Sequence, residues 1–279
     1  MAIFFKYFCT LLSITLVIPA LGHPQGGEGG GGGGGGGSTQ PGGGGDGGSA
    51  SSQPGGPKAT YYTTSDGLGT PSGSCGYGEL GRTENNGQVC TATSRLYNGG
   101  AGCGACYQVR CKNKDLCSEE GTKVVVTNYG EGPATDFILS YSAYAKLAKY
   151  PAVAAQLFAQ GVVDIEYRRV SCKFGANLMI RIQEHSKFPS FLSIIVMNQG
   201  GATDILAVEI YEESSEKWIS MRRAYGAVWD LSSPPCGRLK VRFLVSSSDG
   251  TTAWVQSDKA VIPADWKAGV TVETDITLS

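Results

Sequence analysis

Six cysteines between Cys75 and Cys117 are the side chains best placed to do chemistry in this chain. They are Cys75, Cys90, Cys103, Cys106, Cys111 and Cys117, and Cys103-x-x-Cys106 has the spacing of a redox pair or of half a zinc site. In an exported protein the same residues read instead as a disulfide framework. The N-terminus decides between these readings. Lys6 is followed by an apolar run from Phe8 to Ile18 and a small-residue cleavage pattern at Ala20-Leu21-Gly22. Residues 1–22 are therefore expected to be a secretory signal peptide, and the mature chain to be secreted and extracellular with no membrane span. Cys9 leaves with the signal, eight cysteines remain, and disulfides would consume the thiolates that zinc requires. No metal and no cofactor is expected.

The second chemistry to weigh is proton transfer. Asp66, Glu79, Glu84, Glu131 and Asp136 are the carboxylates near the cysteine cluster. Cleavage of a glycosidic bond with inversion needs two of them, one protonating the leaving oxygen and one activating water across the sugar. Histidine is nearly absent, with His23 and His185 the two in the sequence. That removes Ser-His-Asp and Cys-His nucleophilic catalysis from the first half.

The elements that must position these groups follow from composition. Residues 23–57 are almost all Gly, Ser, Gln and Pro, with nothing to bury, and read as a disordered Gly-rich segment, an inert spacer rather than a tether. Without Lys6, Glu28 and Asp46 the rest of the chain carries 22 basic and 22 acidic residues, so no basic surface for nucleic acid is expected. An uncharged ligand suits such a chain better. No Asn-x-Ser/Thr sequon occurs. A first domain over 58–172 carries strand-like segments at Ala59 to Thr63, Ala92 to Tyr97, Cys106 to Cys111, Lys123 to Thr127 and Val162 to Val170. Tyr141 to Gln160 reads as helical, interrupted at Pro151. In a second domain over 173–279, Leu178 to Gln183, Phe191 to Met197, Ile205 to Tyr211 and Arg238 to Val245 read as strands of a sandwich. The four tryptophans, Trp218, Trp229, Trp254 and Trp266, are expected in its core, and His185 in a solvated loop.

Several motifs recur in a recognisable order. Ala59-Thr60-Tyr61-Tyr62, Gly73-Ser-Cys75-Gly-Tyr77-Gly, Gly102-Cys103-Gly-Ala-Cys106-Tyr-Gln-Val-Arg-Cys111 and Tyr167-Arg-Arg-Val-Ser-Cys172 resemble the barrel motifs of expansins. Trp218-Ile-Ser-Met, Tyr225-Gly-Ala-Val-Trp229 and Val261-Ile-Pro-Ala-Asp-Trp266 resemble those of the expansin carbohydrate-binding domain. Gly69 to Cys75, Arg95-Leu-Tyr and Tyr129-Gly-Glu-Gly are most similar to the plant expansin-like B group. The resemblance implies an all-β chain with minor helix: a six-stranded double-psi β-barrel, related to family-45 glycoside hydrolases, followed by an immunoglobulin-like β-sandwich.

It also implies the pairs Cys75–Cys103, Cys106–Cys172 and Cys111–Cys117. Cys90 and Cys236 fall outside that set; a staple between them, free thiols and pairing between chains all stay open. The family's Val-Thr-Asp strand end reads Val126-Thr127-Asn128 here, and an amide accepts no proton at neutral pH. Its His-Phe-Asp motif aligns with Asp136-Phe137-Ile138, and the aspartate before its first cysteine with Thr70. No catalytic residue is therefore expected, and the chain is not expected to be an enzyme. Thr60, Tyr61, Tyr62, Gly76, Tyr77 and Asp136 match groove positions, and Phe191 and Tyr225 match rings of the sugar platform. The expectation is a monomeric cell-wall protein that holds wall polysaccharide, β-glucan or hemicellulose, without cleaving it, and loosens wall contacts. Its rivals are a family-45-type hydrolase with relocated carboxylates and a glycine-rich structural or defence protein of the wall.

Overall fold

The computed structural model describes residues 56–132, 134–172, 176–247 and 249–278. The expected signal peptide and nearly all of the glycine-rich segment lie outside them, as does the expected start of the second domain at Lys173.

Six strands close a barrel in the order β1 (Lys58–Tyr61), β5 (Phe137–Leu139), β2 (Val89–Ala92), β4 (Thr122–Tyr129), β3 (Cys106–Cys111) and β6 (Val163–Val170). Two of the neighbouring pairs, β1 with β5 and β2 with β4, are parallel, and the others are antiparallel. The run Val124-Val125-Val126 is buried on both faces, as its lack of alternation requires. Strand β6 alternates, with Ile165 and Tyr167 inward and Glu166 and Arg168 in solvent. Four short helices punctuate the barrel: α1 (Leu80–Gly87), α2 (Ser94–Tyr97), α3 (Tyr141–Ala145) and α4 (Pro151–Gln160). Pro151 opens α4 at its first turn, where its missing N–H costs nothing, and the expected break falls there.

One segment departs from expectation. Ala92 to Tyr97 is not one strand; β2 ends at Ala92, and Thr93 turns the chain into α2. Its β-branched and aromatic content suited a strand, but Leu96 and Tyr97 both bond back to the Thr93 carbonyl.

The expected pairs Cys75–Cys103, Cys106–Cys172 and Cys111–Cys117 are all formed. Cys106–Cys172 ties β3 to the end of β6 and closes 66 residues, which in the chain-entropy account contributes about 4 kcal/mol. Cys90 is a free thiol buried in the barrel core, so the staple to Cys236 is not formed. Burial pushes that thiol far above its ordinary value and leaves it inert.

The sandwich stacks two sheets. One has the order β11 (Arg222–Tyr225), β12 (Val228–Ser232), β8 (Phe191–Met197), β7 (Met179–Ile182) and β15 (Thr271–Glu273). The other runs β10 (Lys217–Ser220), β9 (Asp204–Glu212), β13 (Val241–Ser246) and β14 (Thr252–Gln256). Leu192, Ile194, Val196, Val208, Ile210, Val241 and Phe243 fill the space between them. Trp229 and Trp266 join this core, but Trp218 is half-buried and Trp254 is 42% exposed, which corrects the expectation for those two indoles. Both lie on the outer face of the four-stranded sheet, because their strand partners Tyr211 and Leu244 alternate with the core residues Ile210 and Phe243.

Barrel and sandwich share a third cluster, in which Cys75 and Cys103 pack with Ile195, Met197, Ala227 and Val228. Backbone bonds cross the same seam, from Cys106 N to Gly201 O, Cys172 N to Gly200 O and Ala227 N to Cys75 O. Arg169 adds an ion pair to Asp204 at 2.7 Å and bonds the Gly201 carbonyl.

Candidate functional site

The seam between barrel and sandwich opens into a trough of about 520 Å³, lined by Pro71, Ser72, Gly73, Ser74, Gly76, Gly78, Tyr97 and Tyr225. Tyr225 comes from β11 and is 48% exposed. Tyr97 comes from the end of α2, its hydroxyl donating to the Ser74 carbonyl at 2.9 Å, so its ring is held by the same loop that lines the trough. The Tyr129 ring, 41% exposed, tilts against Tyr97 with centroids 5.2 Å apart. The parallel pairing of Ala92 with Tyr129 brings them together, although they are far apart in sequence. Gly76 has a φ of +83°, and a β-carbon there would meet Val228 at 2.5 Å and the Tyr225 ring at 3.1 Å. Only glycine lets the barrel loop approach the platform so closely.

A narrower cleft adjoins the trough through Gly73 and Gly78, lined also by Tyr62, Thr70, Tyr77, Thr127 and Asn128. Tyr62 bonds Thr91 through its hydroxyl, and burial pushes its pKa up to about 12. Tyr77 is likewise raised, above the range in which a phenol titrates in water, mainly by burial. Both are neutral hydrogen-bonding groups at any physiological pH.

Strand register places the positions that align with the family's strand-end and loop carboxylates in a single row. Thr60 pairs with Ile138, Ile138 with Thr91, and Thr91 with Asn128. Ile138 and Asn128 thus flank Thr91 at two strand spacings, about 10 Å apart. The amide oxygen of Asn128 accepts from Ser74 N at 2.7 Å and from Tyr129 N at 2.8 Å, so it pins the trough loop to the end of β4.

The remaining carboxylates are mostly occupied. Asp136 is 2% exposed and accepts from Arg95 at 3.1 Å and from the Lys58 backbone at 3.1 Å. It seals the barrel and offers no free oxygen to a ligand. Asp66 and Glu79 both pair with Arg82, and Glu131 is in solvent. Glu84 is the exception, half-buried, with its carboxyl raised above the ordinary range by desolvation.

The structure brings Gly76 and Tyr225 together in the trough, with Tyr62 and Tyr77 in the adjoining cleft. It separates Tyr61 from them: that ring is packed among Tyr141, Tyr144 and Phe158, with its hydroxyl donating to the Phe158 carbonyl. Thr60 also turns toward helix α4, donating to the Gly161 carbonyl at 2.9 Å. Phe191 is half-buried on the outer face of the five-stranded sheet, near exposed His185. That is the same face as Tyr225, since Phe191 and Ile195 alternate with the core residues of β8 and Ile195 pairs with Val228, the partner of Tyr225. Four residues of strand separate Phe191 from Ile195, about 13 Å. Sequence reasoning missed Tyr97 as a trough residue and Tyr129 as the ring packed against it, although both lie in motifs that carried the resemblance.

This chain is 52% identical over 223 residues, 80% of its length and 88% of the relative's, to Expansin-like B1 of Arabidopsis thaliana. It belongs to the expansin-like proteins. Expansin-like B1 of Oryza sativa subsp. japonica is 42% identical over 222 residues, 78% of this chain and 86% of that one. The model for the expansin C-terminal domain matches residues 178–263, and one described as lytic transglycolase matches 90–167. Among solved structures, the apo expansin of Clavibacter michiganensis covers 79% of this chain and 96% of its own, with a TM-score of 0.59 at 22% identity. A mutant of that expansin, solved in complex with cellohexaose, has a TM-score of 0.58. The barrel-plus-sandwich fold of this expansin-like chain is thus the fold of solved expansins.

Proposed function

We propose that this expansin-like protein acts in the plant cell wall as a secreted, non-hydrolytic binder of β-glucan or hemicellulose chains. The observation that carries the reading is the trough shared by Tyr97 of the barrel and Tyr225 of the sandwich, with Tyr129 packed against Tyr97 and Phe191 on the same sheet face as Tyr225. Flat sugar rings present C–H groups to aromatic faces, and pre-ordered tyrosines lose little entropy on binding. The cellohexaose bound by the Clavibacter expansin supports the ligand class. Bound sugar would exchange contacts with neighbouring wall polymers for contacts with these rings, and wall chains would then slip.

Proton transfer has little support along the cleft. Asn128 and Ile138 occupy the row where facing carboxyls are expected, and Asp136 is consumed by Arg95 and Lys58. Desolvation raises the Glu84 carboxyl, but Glu84 lines neither the trough nor the adjoining cleft and lends the rival hydrolase reading no geometry.

Pull-down on cellulose, xylan and pectin tests the reading. Tyr225→Ala is expected to weaken retention on the preferred polymer roughly tenfold, a loss of about 1.4 kcal/mol. Unchanged retention by Tyr225→Ala, or release of reducing ends beyond a heat-killed control, refutes it.

A further inference from the structure

The outer face of the four-stranded sheet carries a second aromatic array. An antiparallel sheet with one buried face usually presents polar side chains to water on the other. Here the outer positions include Tyr211, Trp218, Leu244 and Trp254 beside the charged pair Arg242 and Glu209. The Arg242 guanidinium lies between two indoles, 4.4 Å from the Trp218 centroid and 4.3 Å from that of Trp254. Tyr211 extends the stack, 5.2 Å from Trp218. Glu209 holds the guanidinium from below, with Nε to Oε2 at 2.7 Å, and itself accepts from Ser220 Oγ at 2.8 Å. The stack is therefore rigid before any ligand arrives. One face of Trp254 is occupied by Arg242, so its 42% exposure falls on the opposite face and the ring edge.

We infer that this array is a second binding site for a neutral glucan chain, on the side of the sandwich opposite Tyr225 and Phe191. The ligand class rests on the proposed function; the site does not. Charge favours a neutral occupant, because Glu209 already matches the one cation built into the stack. An anionic polymer would meet a paired guanidinium and gain little. Size argues against a second protein: the array is about three strand spacings long, a few hundred Å² at most, against about 800 Å² per partner in a stable protein interface. Thr252 and Gln256, exposed on β14 beside Trp254, offer hydrogen bonds to sugar hydroxyls. With two stacked sheets about 10 Å apart between the sites, one molecule holds two chains at once. The protein then links neighbouring polymers while its trough engages one of them.

Isothermal titration of the full chain with cellohexaose tests this. Two equivalents are expected for wild type and one for Trp254→Ala, with the trough site unaffected. Trp254→Phe, which keeps a ring over Arg242, is expected to retain the second equivalent and controls for misfolding, together with an unchanged melting temperature. On insoluble cellulose, loss of bivalency in Trp254→Ala is expected to weaken retention tenfold or more. Tyr225→Ala separates the two readings: if it changes nothing while Trp254→Ala removes one equivalent, the trough reading fails and this one stands. Three outcomes overturn the inference. They are a single equivalent in wild type that Trp254→Ala leaves intact, a dimer in sedimentation that Trp254→Ala disperses, and loss of polygalacturonate binding without loss of cellohexaose binding.

Discussion

Gln199 donates a hydrogen bond from Nε2 to the hydroxyl of Tyr77 at 3.1 Å, joining the loop that leaves β8 to the phenol lining the narrow cleft. The same amide also donates to the Val196 carbonyl, so it is fixed on its own side before it reaches across. Gln199→Ala and Tyr77→Phe should each cost about 1 kcal/mol, a drop of about 2–4 °C in melting temperature. Because the two groups share one bond, the double variant should cost clearly less than the sum. Calorimetry on the four proteins of the cycle reads this; additive costs would mean the bond couples nothing.

Gly226 is one of the tightest points of the seam. It has a φ of +49°, and a β-carbon there would lie 2.3 Å from the Ser74 carbonyl oxygen and 2.5 Å from the Cys75 α-carbon. Both obstacles are backbone, so neither can rotate away. Gly226→Ala should destabilise by roughly 1–3 kcal/mol and weaken glucan retention about as much as Tyr225→Ala does, since Tyr225 would be displaced with it. Thermal melts and pull-down on the same preparation check both effects.

Asp136 should prove structural. Asp136→Asn removes half of an ion pair and weakens the bond that orders the start of β1. Arg95 is partly solvated, so the loss should be about 1–3 kcal/mol, below that of a fully buried pair. Retention on polysaccharide at a temperature where the variant is folded should equal wild type. A selective loss of retention would return Asp136 to the binding surface.

Glu84 gives the fold a pH dependence of known sign. Desolvation raises its carboxyl above the value it has in the unfolded chain, so between the two values the folded state binds more protons. Its contribution is complete below the unfolded value, about 4.3, and fades as pH rises through the folded one. Glu84→Gln should therefore melt higher than wild type at pH 7, with the gap closing near pH 4. Melting curves across that range decide it, and a gap of opposite sign at pH 7 refutes the assignment.

Much of the barrel was legible because cysteine spacing and the motifs around it are local, and β6 carries its own alternation while β4 carries an unbroken apolar run. The three disulfides followed from the family resemblance, and β3, β4 and β6 from content. Strand β5 escaped because three residues, Phe137–Leu139, are too few to show a period. Trough membership was harder. Tyr97 and Tyr129 meet only through the pairing of β2 with β4, and Tyr61 looks no different from Tyr62 until alternation sends one ring inward against α4. Asp136 reads as an available acid in one dimension because Arg95, 41 residues earlier, is invisible as its partner. The indoles of Trp218 and Trp254 carry the same ambiguity: a strand tryptophan names a sheet but not which side of it.

The amide of Asn128 has a consequence for anyone wishing to turn this barrel into a cutter. Its oxygen already serves two main-chain donors, and an aspartate grafted there would inherit them and stay locked in its ionised form, clasping the Ser74 loop. Across Thr91 it would look toward an isoleucine with no proton to give. Building in cleavage would require remaking both banks of the cleft together, so Asn128→Asp alone should yield a sturdier loop and no release of reducing ends.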